Sequence, residues 1–227
     1  VIDHLTRGWT SITDIDCCIA PAQTAPRGIA TLEGVLSYCG APIEVWQGGR
    51  WVTQYGWCAP QQVQFARLKP RIGALCDIPD LELFPAAYPG VQSVMFRAAL
   101  EVGVAQRGLA AIGTLVRWGR IKQPQRLAGF MNRSADALDM FGSALGGMVL
   151  RVRGLDAAGA AASAAWHIAA DDDHGPEIPC MAAILLARQL AAGEPFEAGA
   201  FTSTGQLALA DFAPEFSKWN MVTELGA

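Results

Sequence analysis

Met148-Val149-Leu150-Arg151-Val152-Arg153 and Ala164-Ala165-Trp166-His167-Ile168-Ala169 decide the fold class of this chain. In the first segment Val149, Arg151 and Arg153 alternate with Met148, Leu150 and Val152, a period of two that belongs to an extended strand. In the second, Trp166 and Ile168 fall on one face and His167 on the other. The stretch between them, residues 154–163, is small and flexible, so the pair reads as a β-hairpin. A second hairpin is expected where residues 44–46 and 50–53 flank Gln47-Gly48-Gly49, because glycine supplies the positive φ of a tight turn.

Working outward, residues 12–20 are apolar and β-branched around Asp14 and Asp16 and read as a strand ending at Pro21. Residues 91–100 alternate partly and read as another. A helix is expected from Pro26, with proline at its first position, where a missing N–H costs nothing. Ile29, Leu32, Val35 and Leu36 keep helical spacing there, and Gly40 closes it. Further helices are expected over 104–118, over 126–141 after Pro124, over 179–192 up to Gly193, and over 211–219 with Asp211 as cap. Residues 54–64 and 75–89 read as irregular, and 202–210 as a last strand. Hairpins combined with several helices imply an α+β fold: a mixed, largely antiparallel sheet with helices packed mainly on one face. The repeated strand–helix units of a doubly wound parallel sheet are not visible.

Composition narrows the function classes. Of 227 residues 52% are hydrophobic and 17% charged, an apolar surplus that points to a subunit interface or a neighbouring domain. The net charge is −4, and the densest basic group is only Arg117, Arg120, Lys122 and Arg126, so no phosphate-neutralising stripe for nucleic acid is expected. No apolar stretch reaches the roughly 18 residues a membrane span needs. The six cysteines form no CxxC pair and no zinc spacing, and read as reduced thiols of a cytoplasmic protein. The dinucleotide fingerprint GxGxxG, the phosphate-binding P-loop, HExxH, GxSxG and the EF-hand loop are all missing.

The candidate chemistry is sparse. Asp171-Asp172-Asp173-His174-Gly175-Pro176 is the densest polar cluster, and His174 is the best single acid–base candidate. The plain alternative is a solvated loop before a helix, and a metal-dependent enzyme using this loop is the remotest reading. Arg27 stands at a strand-to-helix turn, where free N–H groups and a guanidinium suit a carboxylate or phosphate; otherwise it is an ordinary first-turn surface residue. Trp46, Trp51, Tyr55 and Trp57 either line a pocket or interface or anchor a loop-rich region on the sheet.

Several stretches together resemble the second, non-Rossmann domain of the bacterial saccharopine dehydrogenase-like family. They are Ile19-Ala20-Pro21 with residues 25–31, Leu36-Ser37-Tyr38, Gly40, residues 45–51, Gly146-Gly147-Met148-Val149, and His174-Gly175-Pro176-Glu177-Ile178-Pro179 before an alanine-rich helix. The resemblance runs over nearly the whole chain and implies a single C-terminal substrate-binding and dimerisation domain, residues 1–227. It would be cut from a longer two-domain protein, consistent with Val1 in place of a starting Met. The missing N-terminal Rossmann domain would bind NAD or NADP, and this chain would hold neither cofactor nor metal. The parent would be an oxidoreductase acting on a small amino or oxo acid, working as a homodimer. No catalytic pair carries over from the family's motifs, and the positions to test on the substrate side are Arg27, the hairpin region from Trp46 to Trp57, and His174. The alternative is a non-catalytic ligand-binding or scaffold domain that retained the fold.

Overall fold

A computed structural model describes residues 1–226. The expected hairpin at its centre pairs β7 (Gly146–Leu155) with β8 (Ala161–Ala170) in unbroken antiparallel register. The strands run further than alternation predicted. Asp156 organises the turn: its carboxylate accepts the N–H groups of Ala158 and Ala160 at 2.8 and 2.9 Å, which closes the connection in five residues. The second hairpin joins β2 (Pro42–Gln47) and β3 (Arg50–Tyr55) through Gly48 and Gly49, both at positive φ (64° and 71°), the backbone of a primed turn.

The remaining strands are β1 (Ser11–Ala20), β4 (Gln61–Val63), β5 (Arg71–Leu75), β6 (Ser93–Ala98) and β9 (Val222–Gly226). The helices are α1 (Ile2–Leu5), α2 (Ile29–Tyr38), α3 (Asp80–Ala87), α4 (Gly103–Arg117), α5 (Ala128–Leu138), α6 (Glu177–Ala191) and α7 (Ala213–Lys218). Together the strands form one nine-stranded mixed sheet in the order β3-β2-β6-β1-β7-β8-β9, with β5 also beside β6 and β4 beside β5. Among the named strands of the described residues, only β1 and β6 are parallel; the other strand pairings are antiparallel. The α+β expectation therefore holds.

One face of the sheet carries the main core. Ile15 and Cys17 of β1, Val94 and Phe96 of β6, and Leu150 and Val152 of β7 pack with Leu36, Leu81, Leu109 and Ala128 from the helices. Next to it Trp166, Ile168 and Ala170 of β8 pack on Met181, Phe212 and Phe216. The opposite face has no helix core. Cys18, Ala20, Ala99, Val149 and Ala169 are covered there by Val63, Phe65 and Leu68, with Leu145 packed against them, and the same face carries the Asp16–Arg97 ion pair. No helix among the described residues is long and apolar enough to cross a membrane.

Four expectations are corrected. Helix α2 starts at Ile29, with Gly28 extended before it, so Pro26 lies in a loop and not at a first helical position. The guanidinium of Arg27 is bonded to Gln23, to Asp136 of α5 and to Asp139 just after it, which keeps that loop out of the helix. Residues 75–89 contain α3, which tolerates Pro85 because Leu81 is anchored in the core at 1% exposure. The irregular stretch 54–64 includes β4. Finally, 202–210 is not a strand. It finds no partner edge and ends in a 3-10 turn over Leu209–Phe212, and the last strand is β9. A stretch becomes a strand only when a neighbouring strand pairs with it, and none does so with 202–210 among the described residues.

Candidate functional site at the carboxyl ends of strands 1 and 6

Because β1 and β6 are parallel, their carboxyl ends Ala20 and Ala98 open at the same end of the sheet. Gly147 of β7 pairs with Ala20, and Gly146 with Ala170, so the chain entering β7 and leaving β8 arrives at that end too. Strand β5 starts there with Arg71. Loops from all these strands meet, which is where an α/β sheet offers room for a ligand.

A buried charge pair ties the loops together. Arg71, 7% exposed, donates to the carbonyls of Pro21 (2.7 Å) and Leu145 (3.2 Å) and lies 3.7 Å from Glu101. Burial pulls the proton affinity of Arg71 down, and Glu101 opposes this. Glu101 accepts the N–H of Gln23 (3.1 Å), the N–H of Ser143 (3.0 Å) and the hydroxyl of Ser143 (2.7 Å). Four chain segments are thus held by one carboxylate and one guanidinium.

Arg27 stands beside this clasp, but α5 and the turn after it occupy its guanidinium. It donates to Asp136 (3.0 Å) and Asp139 (2.7 Å), and also to the Gln23 carbonyl. Gln23 adds bonds from its side-chain amide to Asp139 (2.9 Å) and the Ala135 carbonyl (3.1 Å). Burial works to raise the proton affinity of Asp139. The bonds from Gln23 and Arg27, with the charge of Arg27, outweigh it and hold this carboxyl below its ordinary value.

The acidic loop reaches the same place from β8. Thr24 donates its hydroxyl to Asp173 (2.7 Å), and the Asp173 N–H donates to the Ala144 carbonyl (3.1 Å). Asp172 and Asp173 both take positive φ, 52° and 61°, which swings the chain back toward α6. His174 follows, its ring 4.7 Å from that of Trp219 and its Nδ1 3.7 Å from Glu177. Arg27 and His174 are therefore carried by loops that touch through Thr24 and Asp173.

The two tryptophans do not join them. Trp46 packs edge-on against Trp51 (5.1 Å) and donates its indole N–H to Val91 (2.8 Å), near the amino end of β6. Trp57, 3% exposed, lies in the core beyond β3, where its backbone N–H meets the Leu75 carbonyl. They anchor opposite ends of the β2–β3 hairpin. Gln23, Arg71, Glu101, Asp136, Asp139 and Ser143 escaped sequence reasoning. Each is isolated in the chain, and the one available signal was a single charge inside an apolar run, as in Arg71-Ile72-Gly73-Ala74-Leu75.

The residues at this junction do not suit a dinucleotide. Between Ala20 and Ile29 there is one glycine and two prolines, and proline has no N–H to offer a pyrophosphate. Two carboxylates already sit on Arg27, where an anion would have to bind. Among the described residues no group of three His, Cys, Asp or Glu is placed to hold a metal ion. A cavity of about 10 Å³ between residues 65–68, His167 and Glu224 holds one water at most.

The fold and this junction define a class: a single mixed-sheet α+β body with one helix-covered face and a polar lip at the carboxyl ends of its parallel pair. No family model matches the sequence, and no curated protein matches it. Among solved structures the chain is similar to apo histidine-tagged saccharopine dehydrogenase (L-Glu forming) from Saccharomyces cerevisiae. The likeness has a TM-score of 0.55 at 9% identity and covers 100% of this chain and 70% of that one. At such identity it is a likeness of fold.

Proposed function

We propose that this chain is the substrate-side and subunit-contact domain of an NAD(P)-dependent, saccharopine dehydrogenase-like oxidoreductase acting on a small amino or oxo acid. The observation that supports it most is the fold likeness over the whole chain. At the polar lip, where Gln23, Thr24 and Arg27 are engaged with internal partners, His174 keeps a side chain 31% exposed and is the group left to meet a small amino or oxo acid, a ligand recognised by a few placed donors and acceptors. The dinucleotide belongs to a separate Rossmann domain in this proposal. It would supply the hydride, while this chain's residues hold and orient the substrate and exclude water.

The pairing of Arg27 with Asp136 and Asp139 favours a second reading, a ligand-binding or scaffold domain without chemistry, because that guanidinium is already spent on internal partners. Fluorescence titration with NADPH separates the two. The 227-residue chain alone is expected to bind none, and the complete gene product to bind it and reduce an oxo acid. His174→Gln is expected to raise KM for that acid. Tight NADPH binding by the chain alone, or none by the complete product, overturns the proposal.

A further inference from the structure

We propose that the outer stripe of α4, with the basic segment that follows it, is a docking surface for an anionic lipid bilayer. The inference goes beyond the proposed function. No residue of the polar lip enters it, and it does not depend on the oxidoreductase reading.

Helix α4 is apolar on two sides. Leu109 and Gly113 are buried, and Gly113 seats the helix against Cys39 and Gly40. On the other side Val104, Gly108, Ala111 and Leu115 recur at steps of four, three and four, so they fall on one line along the helix, and Trp118 at its end continues the line. That line is open to water: Val104 is 60% exposed, Leu115 39% and Trp118 70%. A surface helix ordinarily turns charged and polar side chains outward. The outward line of α4 holds none.

Charge says what the stripe faces. Between Glu101 and Asp136 the chain has no acid and six bases, Arg107, Arg117, Arg120, Lys122, Arg126 and Arg133, in a protein whose net charge is −4. The two bounding acids are engaged elsewhere, Glu101 with Ser143 and Arg71, and Asp136 with Arg27. The guanidinium of Arg117 lies over the Tyr55 ring. The other five bases make no ion pair among the described residues. Two of them border the stripe. Arg107 is one turn from both Val104 and Ala111. Past Trp118, Gly119 takes φ 70° and the Arg120 N–H donates to the Leu115 carbonyl at 2.9 Å, which folds the chain back on the helix end and sets the backbone of Arg120 beside Leu115. Lys122 and Arg126 follow in exposed positions.

An apolar line ending in a tryptophan and bordered by unpaired bases matches the boundary of a bilayer, where indole rings settle among headgroups and basic side chains meet anionic phosphates. The bases are spread through 102–135 and not focused on one spot. This suits the diffuse negative charge of a leaflet better than the few placed carboxylates of a protein partner. At 15 residues the helix is about 22 Å long, and one side of it is committed to the core, so it lies along the surface and does not cross.

Co-sedimentation of the 227-residue chain with vesicles tests the proposal. The chain is expected to bind vesicles of phosphatidylglycerol mixed with phosphatidylcholine at low salt, to leave them as salt rises, and not to bind phosphatidylcholine alone. Arg120→Glu combined with Lys122→Glu is expected to weaken binding at least about tenfold, with an unchanged far-ultraviolet circular dichroism spectrum, since both positions are exposed. Lipids brominated near the headgroup are expected to quench tryptophan fluorescence on binding. Trp118→Phe, which keeps an apolar ring, is expected to bind nearly as well and to lose most of that quenching. The complete gene product is expected to bind as the chain does. No binding to anionic vesicles, the result if a protein covers the stripe, overturns the proposal, as does equal binding to both kinds of vesicle. Binding that survives the double charge reversal, or quenching that survives Trp118→Phe, places the contact on another face and overturns it too. Binding by the chain but not by the complete product would make the stripe the seat of another domain, with the same consequence. None of these readouts involves a dinucleotide, so their failure and the failure of the oxidoreductase reading are told apart.

Discussion

Glu101 gathers Gln23, Ser143 and Arg71 around one carboxylate, and this is where the polar lip is most exposed to a single substitution. Removing it leaves the buried Arg71 guanidinium with two carbonyl partners and no counter-charge, and leaves two backbone N–H groups without partners, and the penalty for an uncompensated buried charge exceeds the worth of any one bond. Glu101→Ala is expected to lower stability by about 2–4 kcal/mol in a urea titration. Glu101→Gln, which keeps the shape and loses the charge, should fall between the two. If Glu101→Ala unfolds at the same urea concentration as the parent, the clasp is not what joins these loops. Arg27 differs from Arg71 in exposure: its partners Asp136 and Asp139 have side chains 59% and 34% exposed, and solvent screening keeps such pairs weak. The lip is therefore held by Arg71 and only trimmed by Arg27.

At the scale of elements, the seat of α4 on the sheet depends on close backbone approach. Gly40, at φ +73°, meets Gly113 of α4 so closely that a Cβ would overlap the Gly113 carbonyl, and its N–H donates to the Gly56 carbonyl at 2.9 Å. A side chain there faces both the left-handed backbone and the overlap. Gly40→Ala is expected to cost more than about 2 kcal/mol and to lower the thermal midpoint. Gly108 in the same helix has nothing within 4 Å of a built Cβ, so Gly108→Ala is expected to stabilise by about 0.5–1 kcal/mol. Equal effects from the two substitutions in calorimetry would rule out this packing account. Helix α2 teaches a related lesson. Its helical spacing of Ile29, Leu32 and Leu36 was legible, yet its start was not, because Arg27 bonds to residues more than a hundred positions away.

For the whole molecule, the thiols report how cooperatively the core opens. Cys17, Cys18, Cys39 and Cys76 are buried, while Cys58 is half-buried and Cys180 exposed. Burial pushes Cys18 and Cys39 up to about 12 and drives Cys17 well above its ordinary value, so these groups stay protonated and unreactive at neutral pH. Two of the six thiols are expected to react promptly with a thiol reagent in the native protein. The other four are expected to react only through global opening, at one shared rate that rises with urea. A third thiol reacting at the rate of Cys180 would show that part of the sheet opens independently.

The sequence by itself determined the α+β class, the two hairpins, strand β1 and most helix positions, because periods of 2 and 3.6 are local properties of which residues must face a core. It also singled out Arg27 and His174, charged or titratable groups placed at strand-to-helix turns. Tertiary structure alone decided that β1 runs parallel to β6, some seventy residues away, and so brought Gln23, Arg71, Glu101 and Ser143 to one end of the sheet. It separated Trp46 from Trp57, which the sequence had grouped because they are neighbours along a hairpin. It made β9 a strand, since five residues of weak pattern acquire that role only from the waiting edge of β8. The physical reason is the same in each case: periodicity reports what a residue needs, burial or water, while strand order and loop closure fix which distant partner supplies it.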